Sequence, residues 1–140
     1  MELQQAFLAE FAKAEKDGKV HAIGIHTQVV VPEFPAVVEP FVLAVLLDVD
    51  EDDLGKNHVM VVKLSNKSVE GNEPAEVYKH EFNWPLLLEG SRITVSQVIL
   101  GFEGFSYSVP GRFFWDIHMD GRHLGSAPVK VLQKTKPEDK

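Results

Sequence analysis

Residues 110–131 read P-G-R-F-F-W-D-I-H-M-D-G-R-H-L-G-S-A-P-V-K-V. Phe113, Trp115, Ile117 and Met119 occupy alternate positions, so an extended chain places them on one face, with Phe114, Asp116, His118 and Asp120 on the other. Asp120-Gly121 is the dipeptide favoured by a two-residue type I′ turn, in which both central residues need positive φ. That turn sets Met119 opposite Arg122, His118 opposite His123 and Ile117 opposite Leu124. Pro110-Gly111 supplies the preceding turn. The stretch therefore reads as a hairpin with one dry face and one wet face.

Working outward, the same alternation recurs. Residues 41–49, F-V-L-A-V-L-L-D-V, put Phe41, Leu43, Val45, Leu47 and Val49 on one face, and the other face is apolar as far as Asp48. Such a segment suits a central strand covered on one side and partly on the other. Residues 57–65 point Met60, Val62 and Leu64 inward. The charged D-E-D-D-L-G-K between these segments reads as a turn joining them into a hairpin. Residues 91–100 repeat the pattern with Ile93, Val95 and Ile99 facing in, and residues 20–31 and 77–82 are further strand candidates. Pro32, Pro35 and Pro40 lack amide donors and forbid a regular central strand, so that segment is expected to cross between two sheets. Residues 67–74, K-S-V-E-G-N-E-P, form an exposed loop.

The start of the chain has two readings. Leu3, Phe7, Leu8 and Phe11 fall at helical spacing among good helix formers, which predicts a short helix within residues 3–14. A-F-L-A-E-F followed by K-D-G-K also fits a strand and a turn. The sum of these elements is an all-β, two-sheet antiparallel β-sandwich of about seven or eight strands, with or without a short N-terminal helix. No internal repeat or linker divides the chain, so residues 1–134 are expected to form a single domain and residues 135–140 a disordered tail.

Composition narrows the function. At 140 residues the chain can bury a self-sufficient core, and its apolar share of 44% is ordinary for a globular protein. No apolar run approaches the ~20 residues of a membrane-spanning helix, and the opening M-E-L-Q-Q lacks the basic residues of a secretory signal. Cysteine is absent, which excludes disulfides, thiolate metal sites and a thiol nucleophile, and which fits a cytoplasmic protein. Fourteen Lys and Arg against twenty-one Asp and Glu leave a formal charge of −7, and Lys130–Lys140 is interrupted by acids. Nucleic acid and membrane are therefore not expected partners.

The residues A-F-L-A-E-F-A-K-A-E-K-D-G-K-V-H-A-I-G-I, Phe34-Pro35 and the 110–131 stretch together resemble a family of small bacterial β-sandwich proteins catalogued only as a domain of unknown function. The likeness spans most of residues 6–131. It implies a fold, a bacterial or phage origin, cytoplasmic residence and a strand near A-F-L-A-E-F. It carries no activity, and the matched positions are turn glycines and core residues.

Four stretches could carry function. In N-W-P-L-L-L-E-G, residues 83–90, an indole and three leucines stand where a loop is usually polar. Trp84, Leu86, Leu87 and Leu88 either plug the open end of the core or form a partner-binding tip, and they are the candidate binding residues. His118 and His123, with Asp116 nearby, offer two imidazoles and a carboxylate to a transition metal, but polar groups also belong on a wet face. Asp48, Asp50 and Asp52 match the first, third and fifth positions of a calcium loop, whereas Asp53 and Val59 stand where glycine and glutamate are required. A charged, solvated loop is the better reading. Phe102, Phe105, Tyr107 and Phe114 could form an aromatic platform for a small ligand or carbohydrate. There is no G-x-S-x-G, G-x-G-x-x-G or G-K-[ST]. The expectation is a non-catalytic module with no catalytic residues, no cofactor and no resident metal. It would bind a protein partner or a second copy of itself, through an edge strand or the Trp84–Leu88 loop. A small-ligand or carbohydrate binder is the alternative, and a metal-dependent enzyme built on His118 and His123 follows.

Overall fold

The computed structural model describes residues 1–15, 19–84 and 95–135. Among them the chain forms eleven strands: β1 Glu2–Ala14, β2 Val20–His26, β3 Gln28–Val31, β4 Ala36–Val37, β5 Phe41–Asp48, β6 Asn57–Asn66, β7 Ala75–Asn83, β8 Val95–Phe102, β9 Ser106–Tyr107, β10 Gly111–Met119 and β11 Arg122–Gln133. They make a four-stranded sheet in the order β2-β1-β5-β8, a five-stranded sheet in the order β3-β11-β10-β6-β7, and the short pair β4-β9. The all-β expectation holds; eleven strands in three sheets replace the seven or eight strands in two. The pairing of β3 with β11 is parallel, and the chain reaches β3 directly from β2 in the other large sheet.

The hairpin forms as its sequence requires. Asp120 and Gly121 take φ of 52° and 82°, the conformation that glycine adopts freely and aspartate tolerates. Met119 pairs with Arg122 and His118 with His123. Beyond that the register slips: Ile117 lies opposite Gly125 instead of Leu124, through a bulge that the alternation could not announce. Phe113, Trp115, Ile117 and Met119 are all buried, and Trp115 is wholly inaccessible. Its indole ring sits among Phe41, Phe102 and Phe105 at centroid distances of 5.6, 5.1 and 5.1 Å. Leu8, Leu43, Val45 and Leu47 of the four-stranded sheet join Met60, Val62, Ile117 and Val131 of the five-stranded sheet in the same core. Each such aliphatic side chain contributes about 1.5–3 kcal/mol by leaving water.

Three local expectations are corrected. Residues 2–14 form a strand, not a helix, because β1 pairs with β2 on one side and β5 on the other. Ladder pairing along both edges outweighs a helix preference of a few tenths of a kcal/mol per residue. A bulge between Leu3 and Gln5 lets Leu3, Ala6 and Leu8 share the inner face, while Phe7 and Phe11 of the helically spaced set lie on the outer one. The 48–56 segment is not a hairpin turn. It carries the chain from β5 in one large sheet to β6 in the other, and it contains a single 3-10 turn at Glu51–Asp53. Leu54, buried within it, anchors the crossing. In β8 the inward phase is the opposite of the one expected: Val98, Leu100 and Phe102 meet the core, opposite Val45, Leu43 and Phe41. Ile99 takes the other face, and Ile93 lies outside the described residues. The 32–40 segment does cross between the sheets, with Ala36–Val37 pairing to Ser106–Tyr107. Residues 67–74 are exposed throughout. The tail expected from 135 onward falls, after Thr135, outside the described residues.

Candidate interaction surface

Directly opposed residues on neighbouring strands share a face, so the register of the four-stranded sheet fixes its outer surface. Phe11 lies opposite Ile23, Ala9 opposite both Ile25 and Val42, and Phe7 opposite Ala44. Ala44 lies in turn opposite Ile99, and Leu46 opposite Gln97. This face turns away from the core, yet it is apolar nearly throughout. Phe11 is 52% exposed, Ile23 64% and Ile25 56%. Charged residues close it at both ends, Lys13 opposite His21 and Asp48 opposite Glu2.

Among the described residues β2 has a partner on one side only, so the patch reaches an edge of the sheet. Edge strands are usually guarded against further pairing by charge, proline or bulges. β7, an edge of the five-stranded sheet, carries Glu76, Lys79 and Glu81. β2, V-H-A-I-G-I-H, has no Lys, Arg, Asp or Glu. Its one irregularity is Gly24, at φ 67°, over which the Glu10 side chain folds: a Cβ built there would lie 2.7 Å from Cδ of Glu10. Gly24→Ala is expected to cost about 1–2 kcal/mol from the left-handed backbone alone. Urea unfolding would show it, and a loss under a few tenths of a kcal/mol would refute the strained geometry.

The expected binding residues divide. Trp84 is 9% exposed, packed against Phe82 at 4.7 Å and His58 at 5.2 Å. Its Nε1 donates to Ser96 Oγ at 2.9 Å. Trp84 therefore plugs the core end, where an indole can bury its ring and still find an acceptor. Leu86, Leu87 and Leu88 lie outside the described residues. Phe102, Phe105 and Tyr107 belong to the buried aromatic cluster and form no exposed platform, while Phe114 is half-buried on the outer face of the five-stranded sheet.

His118 and His123 do face each other, with ring centroids 5.0 Å apart. Burial lowers the His118 pKa, and the nearby His123 and Lys63 lower it further against the opposing pull of Asp116. Asp116 is already engaged, accepting hydrogen bonds from Ser65 Oγ at 3.0 Å and from Ser126 Oγ. His123 Nε2 lies 3.3 Å from both Asp116 Oδ1 and Ser126 Oγ. One nitrogen thus meets both groups and the serine donates to the carboxylate, so the three do not form a nucleophile relay, which needs separate imidazole nitrogens for serine and acid. Asp50 and Asp53 close the 3-10 turn through the Asp50 N–H to Asp53 Oδ2 bond of 2.9 Å. Among the described residues no three His, Asp or Glu side chains converge at metal-binding spacing, Asp48, Asp50 and Asp52 included.

One polar site escaped the sequence reading. His58 is buried on the inward phase of β6, with Nδ1 2.7 Å from Asp120 Oδ2 and Nε2 2.6 Å from the Asp53 carbonyl oxygen. Asp120 also accepts the Val59 N–H at 2.8 Å, so the hairpin turn, the sheet crossing and β6 are tied at one point. The available signal was phase: His58 falls in step with Met60 and Val62.

No curated protein matches the chain. A family model does, over residues 4–132, and on that match the chain belongs to DUF6941, a family of unknown function.

Proposed function

We propose that the protein is a non-catalytic interaction module that associates with a second copy of itself. The contact uses the β2 edge and the apolar outer face of the four-stranded sheet. On this reading the four- and five-stranded sheets are the two leaves of a sandwich, one of which extends across the dimer. The observation that carries the reading is the exposure of Ile23, Ile25 and Phe11 beside an edge strand without charged guards. A chain of net charge −7 repels its own copies, and a patch whose central residues are uncharged is where two copies can meet with the least repulsion. Covering the two isoleucines and Phe11 on each copy adds about 1.5–3 kcal/mol per fully buried side chain before the cost of association. A cysteine-free chain suits the bacterial cytoplasm, where we place it.

Sedimentation equilibrium of the wild type and of an Ile23→Lys, Ile25→Lys double variant tests this. The wild type is expected to show twice the protomer mass at concentrations of about 100 μM, a modest affinity for so small a patch, and the variant the protomer mass with an unchanged circular dichroism spectrum. A wild type that stays monomeric, or a variant that stays dimeric, overturns the proposal.

A further inference from the structure

We propose a second site: His118 and His123, on the outer face of the five-stranded sheet, chelate one divalent transition-metal ion of the copper or zinc class. The site begins with the bulge in the hairpin. Ile117 pairs with Gly125 while His118 pairs with His123, which leaves Leu124 without a partner on β10. A regular strand would set His123 and Ser126 on opposite faces. The extra residue brings both to the outer one, beside His118 and Asp116, as bulges do where a side chain must be re-aimed. The two imidazole rings lie opposite each other with centroids 5.0 Å apart. A shared ion requires such a spacing. A metal about 2.0–2.1 Å from a ring nitrogen stands about 3.2 Å from the ring centre, so two imidazoles held at roughly 90–110° have centres about 4.5–5.2 Å apart.

The support behind His123 is the second observation. Its Nε2 lies 3.3 Å from both Asp116 Oδ1 and Ser126 Oγ. Ser126 donates its own proton to Asp116, and Ser65 donates to the other carboxylate oxygen at 3.0 Å. Nε2 therefore meets only acceptors and carries the hydrogen, which leaves Nδ1 as the lone-pair nitrogen. An imidazole that gives one N–H to a hydrogen-bonded carboxylate and turns its other nitrogen to a metal is the usual arrangement of a ligating histidine. Among the described residues His118 makes no hydrogen bond through either ring nitrogen, so its lone pair is available. The His123 side chain is 51% exposed, so an ion reaches it from solvent and water completes the coordination. Asp116 offsets the charge of Lys63, its neighbour on β6. Two imidazoles without a carboxylate ligand select Cu²⁺ over Zn²⁺ and disfavour Mg²⁺ and Ca²⁺, which take oxygen. The chain's net charge of −7 favours the approach of any cation. The site lies on the other large sheet from the self-association surface, so neither proposal rests on the other.

Equilibrium dialysis of the tag-free protein against CuCl₂ and ZnCl₂ near neutral pH tests the assignment. One ion per chain is expected, with copper held more tightly than zinc. Electron paramagnetic resonance of the copper complex should show two nitrogen ligands in wild type and one in either His118→Gln or His123→Gln, each checked for folding by circular dichroism. Asp116 is a positioning residue. Asp116→Asn is expected to weaken copper binding by about tenfold, the lower end of what an outer partner contributes, and each histidine variant by more. Imidazole nitrogen NMR of the metal-free protein should place the His123 hydrogen on Nε2 in wild type and on both nitrogens in Asp116→Asn, a change that packing alone does not produce. His80→Gln, on β7, should leave binding as it is. A wild-type copper spectrum with a single nitrogen ligand, an affinity unaltered in both histidine variants, or an equal loss in His80→Gln would each overturn the assignment.

Discussion

Trp115→Ala is expected to lower the unfolding free energy by about 3–5 kcal/mol, the usual range for emptying a large aromatic site in a core. Trp115 is inaccessible to solvent and its ring is enclosed by Phe41, Phe102 and Phe105. Phe41 and Phe102 come from β5 and β8 of the sheet opposite β10, and Phe105 from the loop that follows β8. Alanine leaves a void that none can fill without abandoning the others. Trp115→Phe should behave differently. Among the described residues the buried Nε1 has no hydrogen-bond partner of normal geometry, and an unsatisfied buried donor costs about 1–3 kcal/mol. Phenylalanine removes that liability while losing part of the ring's contact, so it is expected within about 1.5 kcal/mol of wild type. Urea unfolding of both variants distinguishes a packing keystone from a polar one. An alanine variant costing under about 1 kcal/mol, or a phenylalanine variant as damaging as alanine, would contradict this view of the core.

The residues around Trp115 also explain what was legible in the sequence. Where one face of a strand is dry and the other wet, alternation states the phase, and β10, β6 and the hairpin turn followed directly. Where both faces are apolar, alternation carries no sign. In β1, Phe7 and Phe11 lie outside and Leu8 inside; in β8, Ile99 and Leu100 divide likewise. A period of two cannot tell which set is the core, and a one-residue error exchanges the faces. The apolar outer face was hidden for the same reason: its residues looked like core. Trp84 shows the limit from the other side. Its sequence setting posed plug against interface, and only the Ser96 acceptor and the rings of His58 and Phe82 place it indoors.

Removal of the His58 imidazole is expected to cost about 3 kcal/mol near pH 6, as hydrogen bonds to a charged group are worth about 1.5–3 kcal/mol each and the variant also leaves a void. Both ring nitrogens face acceptors, the Asp120 carboxylate and the Asp53 carbonyl. A neutral imidazole can donate only once, so the arrangement calls for imidazolium. Burial alone depresses the His58 pKa. The bond to the Asp53 carbonyl, the bond to Asp120 and the attraction of both acids outweigh that, and the net shift is upward from the ordinary 6.5. The other groups against the ring, Phe82 and Trp84, are uncharged. Above pH 6.5 the folded state therefore holds a proton that the unfolded chain releases. Stability gained from His58 is complete below that value and is lost as pH rises through the raised folded pKa. Asp120 runs the other way. Burial raises its pKa, but His58 and the Val59 N–H outweigh that and hold it below 3.8. Its contribution is present above 3.8 and is lost as pH falls through the depressed value. The clamp is thus strongest between these limits, in mildly acidic solution. Urea midpoints from pH 5 to 9 should decline on the alkaline side in wild type, and His58→Ala should abolish the part of that decline that begins near pH 6.5. If wild type and His58→Ala run parallel across that window, the imidazole is held neutral, one of its two short contacts is not a hydrogen bond, and the tie between hairpin turn and sheet crossing is packing alone.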